Sequence, residues 1–261
     1  MLDLPRPGEP GARLPVEGTL NFRDVGGYAT ADGRRMRSGR VFRSDHLSTV
    51  TDEGLAMLAS LGLRTVVDLR MPAERERQPS RLPAGVDVVL AHAAAADDAA
   101  QVELMEEIKA GRVTSVTVDD VRVMYEAMLA DATFMFATVL NTVAAASNHA
   151  VLVHCTAGKD RTGLSAALIQ RLCGVPDDAI RRDYDLTNPY RATKRFEQLS
   201  VELAPLGIDM AAIRTLIEAP LPAFVDALAW IDRNGGTEAY VVDHLGVDRA
   251  TVEALRSALV G

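Results

Sequence analysis

Apolar residues recur along this chain in two rhythms. Leu63 to Leu69 (LRTVVDL) and Ala150 to His154 (AVLVH) are short, nearly continuous apolar runs, the pattern of strands buried in a parallel sheet. Val86 to Ala91 is a third strand candidate. Residues 19 to 43 also read as β-structure, with Asp32-Gly33 as a hairpin turn between Tyr28-Ala29-Thr30 and a segment ending at Val41-Phe42. Other apolar positions fall at helical spacing. Leu55, Leu58 and Ala59 form a stripe capped by Thr51, with Asp52 and Glu53 in the first turn and Gly62 beyond the end. Val118, Val121, Tyr125, Met128 and Leu129 form a second stripe, and Thr133 to Ser147 a third helix. Beyond residue 162 the pattern is mostly helical, cut into segments by Pro176, Pro189, Pro205, Pro220 and Pro222. Asp248 caps a last helix with Val252, Leu255 and Leu259 on one face. Strands alternating with helices predict an α/β fold with a mainly parallel central sheet flanked by helices. No repeat or separating linker is seen, so residues 1–261 read as a single domain, with 1–18 as a Pro- and Gly-rich irregular arm.

Composition changes this picture at one place. The formal net charge is -8. Residues 93 to 131 hold nine acidic residues against three basic ones, so most of that charge sits in one segment. It begins with the low-complexity run HAAAADDAA (92 to 100), continues with Val102, Met105 and Ile108 before Gly111, and carries three of the nine methionines. Two readings stand: an ordinary helical pair packed on a sheet, or a helical lid over a site. The acidic balance excludes nonspecific nucleic-acid binding. No run of 18 apolar residues is present, so no integral membrane segment is expected. The first residues carry no apolar leader region, which makes the cytoplasm the default location and leaves export without a cleaved signal open. There are two cysteines, Cys155 and Cys173, too few for a disulfide scaffold or a structural zinc site.

One loop carries the chemistry. His154-Cys155-Thr156-Ala157-Gly158-Lys159-Asp160-Arg161-Thr162-Gly163 follows an apolar strand and precedes a helical stripe of Leu164, Ala167, Leu168, Ile169 and Leu172. A strand-to-helix loop aims several backbone N–H groups at one point and suits a tetrahedral oxyanion. Gly158 and Gly163 permit a tight turn and close backbone approach. Arg161 adds a planar cationic fork for two phosphate oxygens. Thr156, Ala157, Gly158, Lys159, Asp160 and Arg161 are therefore the phosphate-binding candidates. Cys155 lies at the centre of this field, which stabilises its thiolate and makes it a nucleophile toward a bound phosphoryl group. Cys173, eighteen residues on, is expected to pack in the core.

The ten-residue loop resembles the signature of the cysteine-dependent protein tyrosine phosphatase superfamily. Its Lys-Asp pair is similar to an atypical bacterial branch that includes a mycobacterial and a Listeria phosphatase. Further segments match that branch: NFRDVGGY (Asn21 to Tyr28), GRVFRSDHL (Gly39 to Leu47), VVDLRMPAERE (Val66 to Glu76) and DYDLTN (Asp183 to Asn188). The resemblance implies a phosphatase-like fold, a helical lid before the loop, Cys155 as nucleophile and Arg161 as phosphate clamp. It also implies a phosphocysteine intermediate hydrolysed by water. Thr162 is expected to hydrogen-bond the sulfur, and His154 to order the loop.

The general acid is less sharply indicated. Many tyrosine phosphatases take it from a Trp-Pro-Asp loop, whereas here Trp230-Ile231-Asp232 lies in a helical pattern. Asp160, inside the loop, is preferred. Asp68, at a strand end, is the other candidate; otherwise Asp68 and Arg70 form an ion pair or hold the loop, with Glu74 able to join them. Lys159 suits one dianion or a substrate with several phosphates. Basic runs at 21–43 and 181–195 read as solvated faces or as substrate steering. The expected partners are a phosphorylated protein or a phospholipid. No cofactor is called for, and no His/Cys/Asp cluster has metal-ligand spacing. The reading is a phosphomonoester hydrolase, acting on phosphotyrosine and extending to phosphoserine/threonine or phosphoinositides. The alternatives are a weakly catalytic phosphate-binding module, and sulfur or arsenate chemistry on a similar loop.

Overall fold

Strand and helix patterning produce a five-stranded sheet in a computed structural model that describes residues 4–92, 104 and 107–261. The strands are β1 (Arg23–Asp24), β2 (Val41–Ser44), β3 (Thr65–Asp68), β4 (Asp87–Leu90) and β5 (Val151–His154). Their spatial order is β1-β2-β5-β3-β4. Only β1 runs antiparallel to its neighbour; the other pairings are parallel. The expected mainly parallel sheet is therefore present, with β5 at its centre. Ser44 and Asp68 both pair in register with His154, so β2, β5 and β3 end at one level. This common C-terminal edge is where an open parallel sheet presents its ligand crevice.

Alternation along the strands divides the core. Phe42, Val66 and Leu152 face one way and join Val16, Phe22 and Leu58. Helix α1 (Asp52–Ser60) covers that face, and the Thr51 hydroxyl accepts from the Gly54 N–H at 3.1 Å, as the capping pattern predicts. Val41, Val67, Val151 and Val153 face the other way. There they meet the apolar sides of α3 (Val118–Asp131), α4 (Thr133–Ala144), α5 (Asp160–Leu172), α6 (Asp177–Asp185), α8 (Leu221–Arg233) and α9 (Arg249–Leu259). Short α2 (Pro72–Arg77) follows β3, and α7 (Thr193–Leu203) follows a wide π-turn at Asn188–Ala192. Single helical turns sit at Arg214–Ile217 and Gly236–Ala239.

Several expectations change in detail. The Asp32-Gly33 turn forms, with Gly33 at φ +85°, but joins only an isolated Ala29–Arg35 bridge rather than long strands. Edge strand β4 leaves Val88 and Leu90 half-exposed despite their apolar character. Asp248 precedes α9 as expected, yet caps it through its backbone carbonyl and not its side chain. The irregular arm seats Val16 in the core, and residues 1–3 lie outside the described residues. Of the 93–131 segment, residues 93–103, 105 and 106 lie outside the described residues. Its last helix, α3, buries Val121, Tyr125, Met128 and Leu129 and belongs to the core. Among the described residues no single helix is long and apolar enough to cross a membrane.

Candidate active site

Cys155 leaves the C-terminal end of β5, and α5 begins at Asp160, so the loop between them lies on the crevice edge of the sheet. The Gly158 N–H points back at the thiol and donates to Cys155 Sγ at 3.2 Å. That inward turn needs Gly158. Its φ is +63°, and a Cβ there would stand 2.4 Å from the Ser44 carbonyl oxygen. The close approach is thus to the end of β2. Gly163 has a different reason for being glycine. It lies inside α5, and a Cβ would come within 3.0 Å of the Tyr184 ring.

The segments singled out in the sequence converge on this loop. The Gly158 carbonyl accepts from Asn21 Nδ2 and from Arg43 Nη2, both at 2.9 Å. Asp183 receives Arg23 Nε at 3.0 Å and Arg43 Nη1 at 2.5 Å, and the three side chains are almost fully buried. Burial pushes the Asp183 carboxyl up, but the two guanidinium groups outweigh it and hold it below the usual carboxylate range. Arg23 and Arg43 therefore brace the loop from beneath, which corrects a solvated or substrate-steering reading for these two arginines. The His46 N–H donates to the Thr156 carbonyl at 3.2 Å and closes the loop's other side.

Arg161 is fixed by α2. Its Nη1 donates to Glu74 Oε2 at 2.8 Å and to the Leu69 carbonyl at 3.0 Å, and its Nη2 donates to Glu74 Oε1 at 3.0 Å. The Glu74 carboxylate also accepts from the Thr156 hydroxyl and from the Met71 N–H. Burial raises its pKa, yet these donors, led by Arg161, bring it down to about 2.

Asp68 and Arg70 form the ion pair foreseen as one of their two readings. Arg70 reaches Asp68 through its backbone N–H at 3.0 Å, Nε at 2.9 Å and Nη2 at 2.7 Å. Burial raises the Asp68 carboxyl, but the hydrogen bonds and charge of Arg70 outweigh it and keep it below its ordinary value. Arg70 engages both carboxyl oxygens of Asp68, which leaves neither directed at a leaving group, so the geometry does not favour Asp68 as general acid. His154 is fully buried, and burial lowers it to about 4, so it is neutral. Its Nδ1 lies 3.2 Å from the Cys155 carbonyl oxygen, consistent with ordering the loop.

Asp160 lies at the first turn of α5, where its Oδ1 accepts from the Tyr125 hydroxyl at 2.6 Å and lies 3.3 Å from Lys159 Nζ. Two loop residues depart from expectation. Lys159 Nζ donates to the carbonyls of Leu216 at 2.7 Å and Glu218 at 3.0 Å. With Asp160 these occupy its three donors, so it ties the loop to the 214–218 turn instead of reaching toward a phosphate. The Thr162 hydroxyl is buried with no hydrogen-bond partner among the described residues, so the expected bond to sulfur is absent and the Gly158 N–H takes that place. Cys173 caps the far end of α5 as a free, buried thiol pushed up to about 12 by burial, in keeping with a packing role. Trp230 and Asp232 lie on α8, where Asp232 pairs with Arg171 at 2.8 Å.

Sequence reasoning missed Asn21, Tyr125, Asp183 and Tyr184 as loop supports. Three of these fall in the segments that match the bacterial branch, which was the available signal. Tyr125 carried none, because its spacing reads as ordinary core.

Two known proteins are similar to this chain along nearly its whole length. It is 33% identical to the triple specificity protein phosphatase PtpB of Mycobacterium tuberculosis, over 94% of this chain and 98% of that protein. It is also 33% identical to a "putative tyrosine-protein phosphatase" of Cupriavidus necator, over 91% of this chain and 85% of that protein. A tyrosine-protein phosphatase of Nostoc commune is 32% identical over 57% of this chain and 48% of its own length. Residues 14–261, which include every loop support described above, match the model of the tyrosine phosphatase family, and the chain belongs to that family.

Proposed function

We propose that this phosphatase hydrolyses phosphomonoesters through a phosphocysteine on Cys155. The observation that carries the proposal is the Gly158 N–H on Cys155 Sγ, 3.2 Å away, at the N-terminal end of α5. That N–H is aimed at the sulfur, which the proposal makes the nucleophile. Arg161, squared by Glu74, presents its guanidinium beside the same loop and clamps the equatorial phosphoryl oxygens. Sγ attacks phosphorus in line, the P–O bond to the leaving group breaks, and Asp160 delivers a proton to the departing oxygen. Water then attacks the phosphocysteine, Asp160 takes one proton from it, and inorganic phosphate leaves with the thiolate restored. Thr156 and Ala157 contribute loop N–H groups to the phosphoryl oxygens, while the Gly158 N–H stays on the sulfur. Lys159, His154 and Thr162 support the loop from behind.

The substrates we assign are phosphotyrosine first, then phosphoserine/threonine and phosphoinositide headgroups. The mycobacterial relative's name, which specifies triple specificity, supports a range wider than one residue type. The chain acts as one phosphatase domain, in which α3 packs in the core beside the loop. A panel of phosphotyrosine peptide, phosphoserine peptide and phosphoinositide vesicles, assayed for phosphate release by fresh reduced protein, tests this. Turnover of the phosphotyrosine peptide is expected from the wild-type protein, and none from Cys155→Ser. Phosphopeptide binding without any turnover would favour a phosphate-binding module instead.

A further inference from the structure

The chemistry above gives no task to two buried hydroxyls beside the loop. Tyr125 on α3 and Tyr184 on α6 are both fully buried. Tyr125 donates to Asp160 Oδ1, and its oxygen lies 2.6 Å from the Tyr184 hydroxyl. The direction of the second bond follows from counting protons. A phenol has one. That of Tyr125 is committed to the carboxyl oxygen, so Tyr184 must donate to Tyr125. The chain Tyr184 to Tyr125 to Asp160 is thus polarised one way, and each bond strengthens the next.

Among the described residues, every hydrogen bond and ion pair to the Asp160 carboxyl falls on Oδ1: the Tyr125 hydroxyl and the Lys159 ammonium. A proton on Oδ1 would face an ammonium and a committed donor, whereas Oδ2 has neither. The pair is also held rigidly. The Tyr184 ring stacks on Phe224, with centroids 3.9 Å apart and planes 3° from parallel, and its other surroundings include the Cβ-free face of Gly163. Tyr125 is anchored in a helix that packs on α8.

We propose that Tyr125, oriented by Tyr184, is a positioning residue for the general acid: it holds Oδ1 so that Oδ2 carries the proton to the leaving group. The proposal rests on Asp160 being that acid. It gives α3, at the end of the acidic 93–131 segment, a part in the reaction that does not require it to move.

The test compares kcat/KM for two aryl phosphates, 2,4-dinitrophenyl phosphate, whose leaving group needs no proton, and phenyl phosphate, whose leaving group does. Tyr125→Phe is expected to lower kcat/KM for phenyl phosphate about tenfold and to leave the dinitrophenyl ester within about twofold. Asp160→Asn is expected to show the same selectivity with a larger loss. The double variant is expected to fall no lower than Asp160→Asn alone. Equal losses on both esters for Tyr125→Phe, or a further loss in the double variant, overturn the positioning role. Selectivity in Asp160→Asn without selectivity in Tyr125→Phe overturns this inference and leaves the acid assignment standing. No selectivity in Asp160→Asn overturns both. Tyr184→Phe keeps the stacked ring and removes only the outer hydroxyl. It serves if Tyr125→Phe does not fold, with a smaller loss of the same selectivity expected and an unselective loss counting against the proposal.

Discussion

Replacing Glu74 by Gln probes the site where its geometry is tightest. The carboxylate accepts from both Nη atoms of Arg161, from the Thr156 hydroxyl and from the Met71 N–H. Gln keeps one acceptor oxygen and sets an NH2 group against donors, so at least one of these bonds is replaced by a donor–donor contact. The magnitude follows from the Glu74 pKa, lowered from 4.5 to about 2. At about 1.4 kcal/mol per pKa unit this is roughly 3 kcal/mol in favour of the ionised folded state. The side chain keeps some solvent contact, 14%, so about 2 kcal/mol is the expected loss after screening. The sign is fixed by linkage. The folded pKa is depressed, so the stabilisation is fully present above about 4.5 and is lost as pH falls toward 2. Urea unfolding should therefore separate wild type from Glu74→Gln at pH 7, with the gap closing as pH falls through that window. Activity should fall as well. With Arg161 keeping the Leu69 carbonyl but losing its planar partner, kcat/KM on an aryl phosphate is expected to drop by roughly 10- to 100-fold. A variant as stable as wild type, with kcat/KM within about twofold, would refute the claim that Glu74 sets the guanidinium.

Two further outcomes follow from the same packing. Gly163→Ala brings a methyl to 3.0 Å from the Tyr184 ring, which is stacked on Phe224 and cannot recede without disturbing it. The urea midpoint should fall by the equivalent of about 1–3 kcal/mol, and an unchanged midpoint would contradict the packing reason given for that glycine. His154 is neutral in the fold because burial lowers it to about 4 from an ordinary 6.5. The unfolded chain binds the extra proton between those values, so stability falls as pH drops from about 6.5 toward 4, by up to about 3 kcal/mol. A His154→Asn variant should have a flatter stability profile across that window, and an identical slope would assign the effect to other groups.

The loop was readable in the sequence because its chemistry is local. Cys155, the glycines and Arg161 lie within nine residues, between a run that can only be a buried strand and a helical stripe. The mainly parallel sheet was readable for a similar reason, since strands buried on both faces leave no polar alternation. What holds the loop was not readable, because charge along a chain does not say where its counter-ion is. Arg23 and Arg43 looked like part of a basic face, yet their partner Asp183 stands 160 and 140 residues away. Lys159 looked like a second phosphate cation until the 214–218 carbonyls were brought to it by the fold. Gly163 was read as freedom for a turn, but it lies inside α5, and the Tyr184 ring is what crowds a side chain there. Tyr125 was hidden for the plainest reason: on a helix, an apolar body with a polar tip has the same spacing as any core residue.

The most direct test of the mechanism is to trap the covalent intermediate. Wild-type protein mixed with excess aryl phosphate is quenched in acid within milliseconds, digested, and its peptides are read by mass spectrometry. A phosphoryl group on Cys155, formed with a burst of phenol stoichiometric with enzyme and absent from Cys155→Ser, is the predicted result. Continued turnover with the label on another side chain, or with no phosphoenzyme and no loss in Cys155→Ser, would contradict a reaction built on this cysteine.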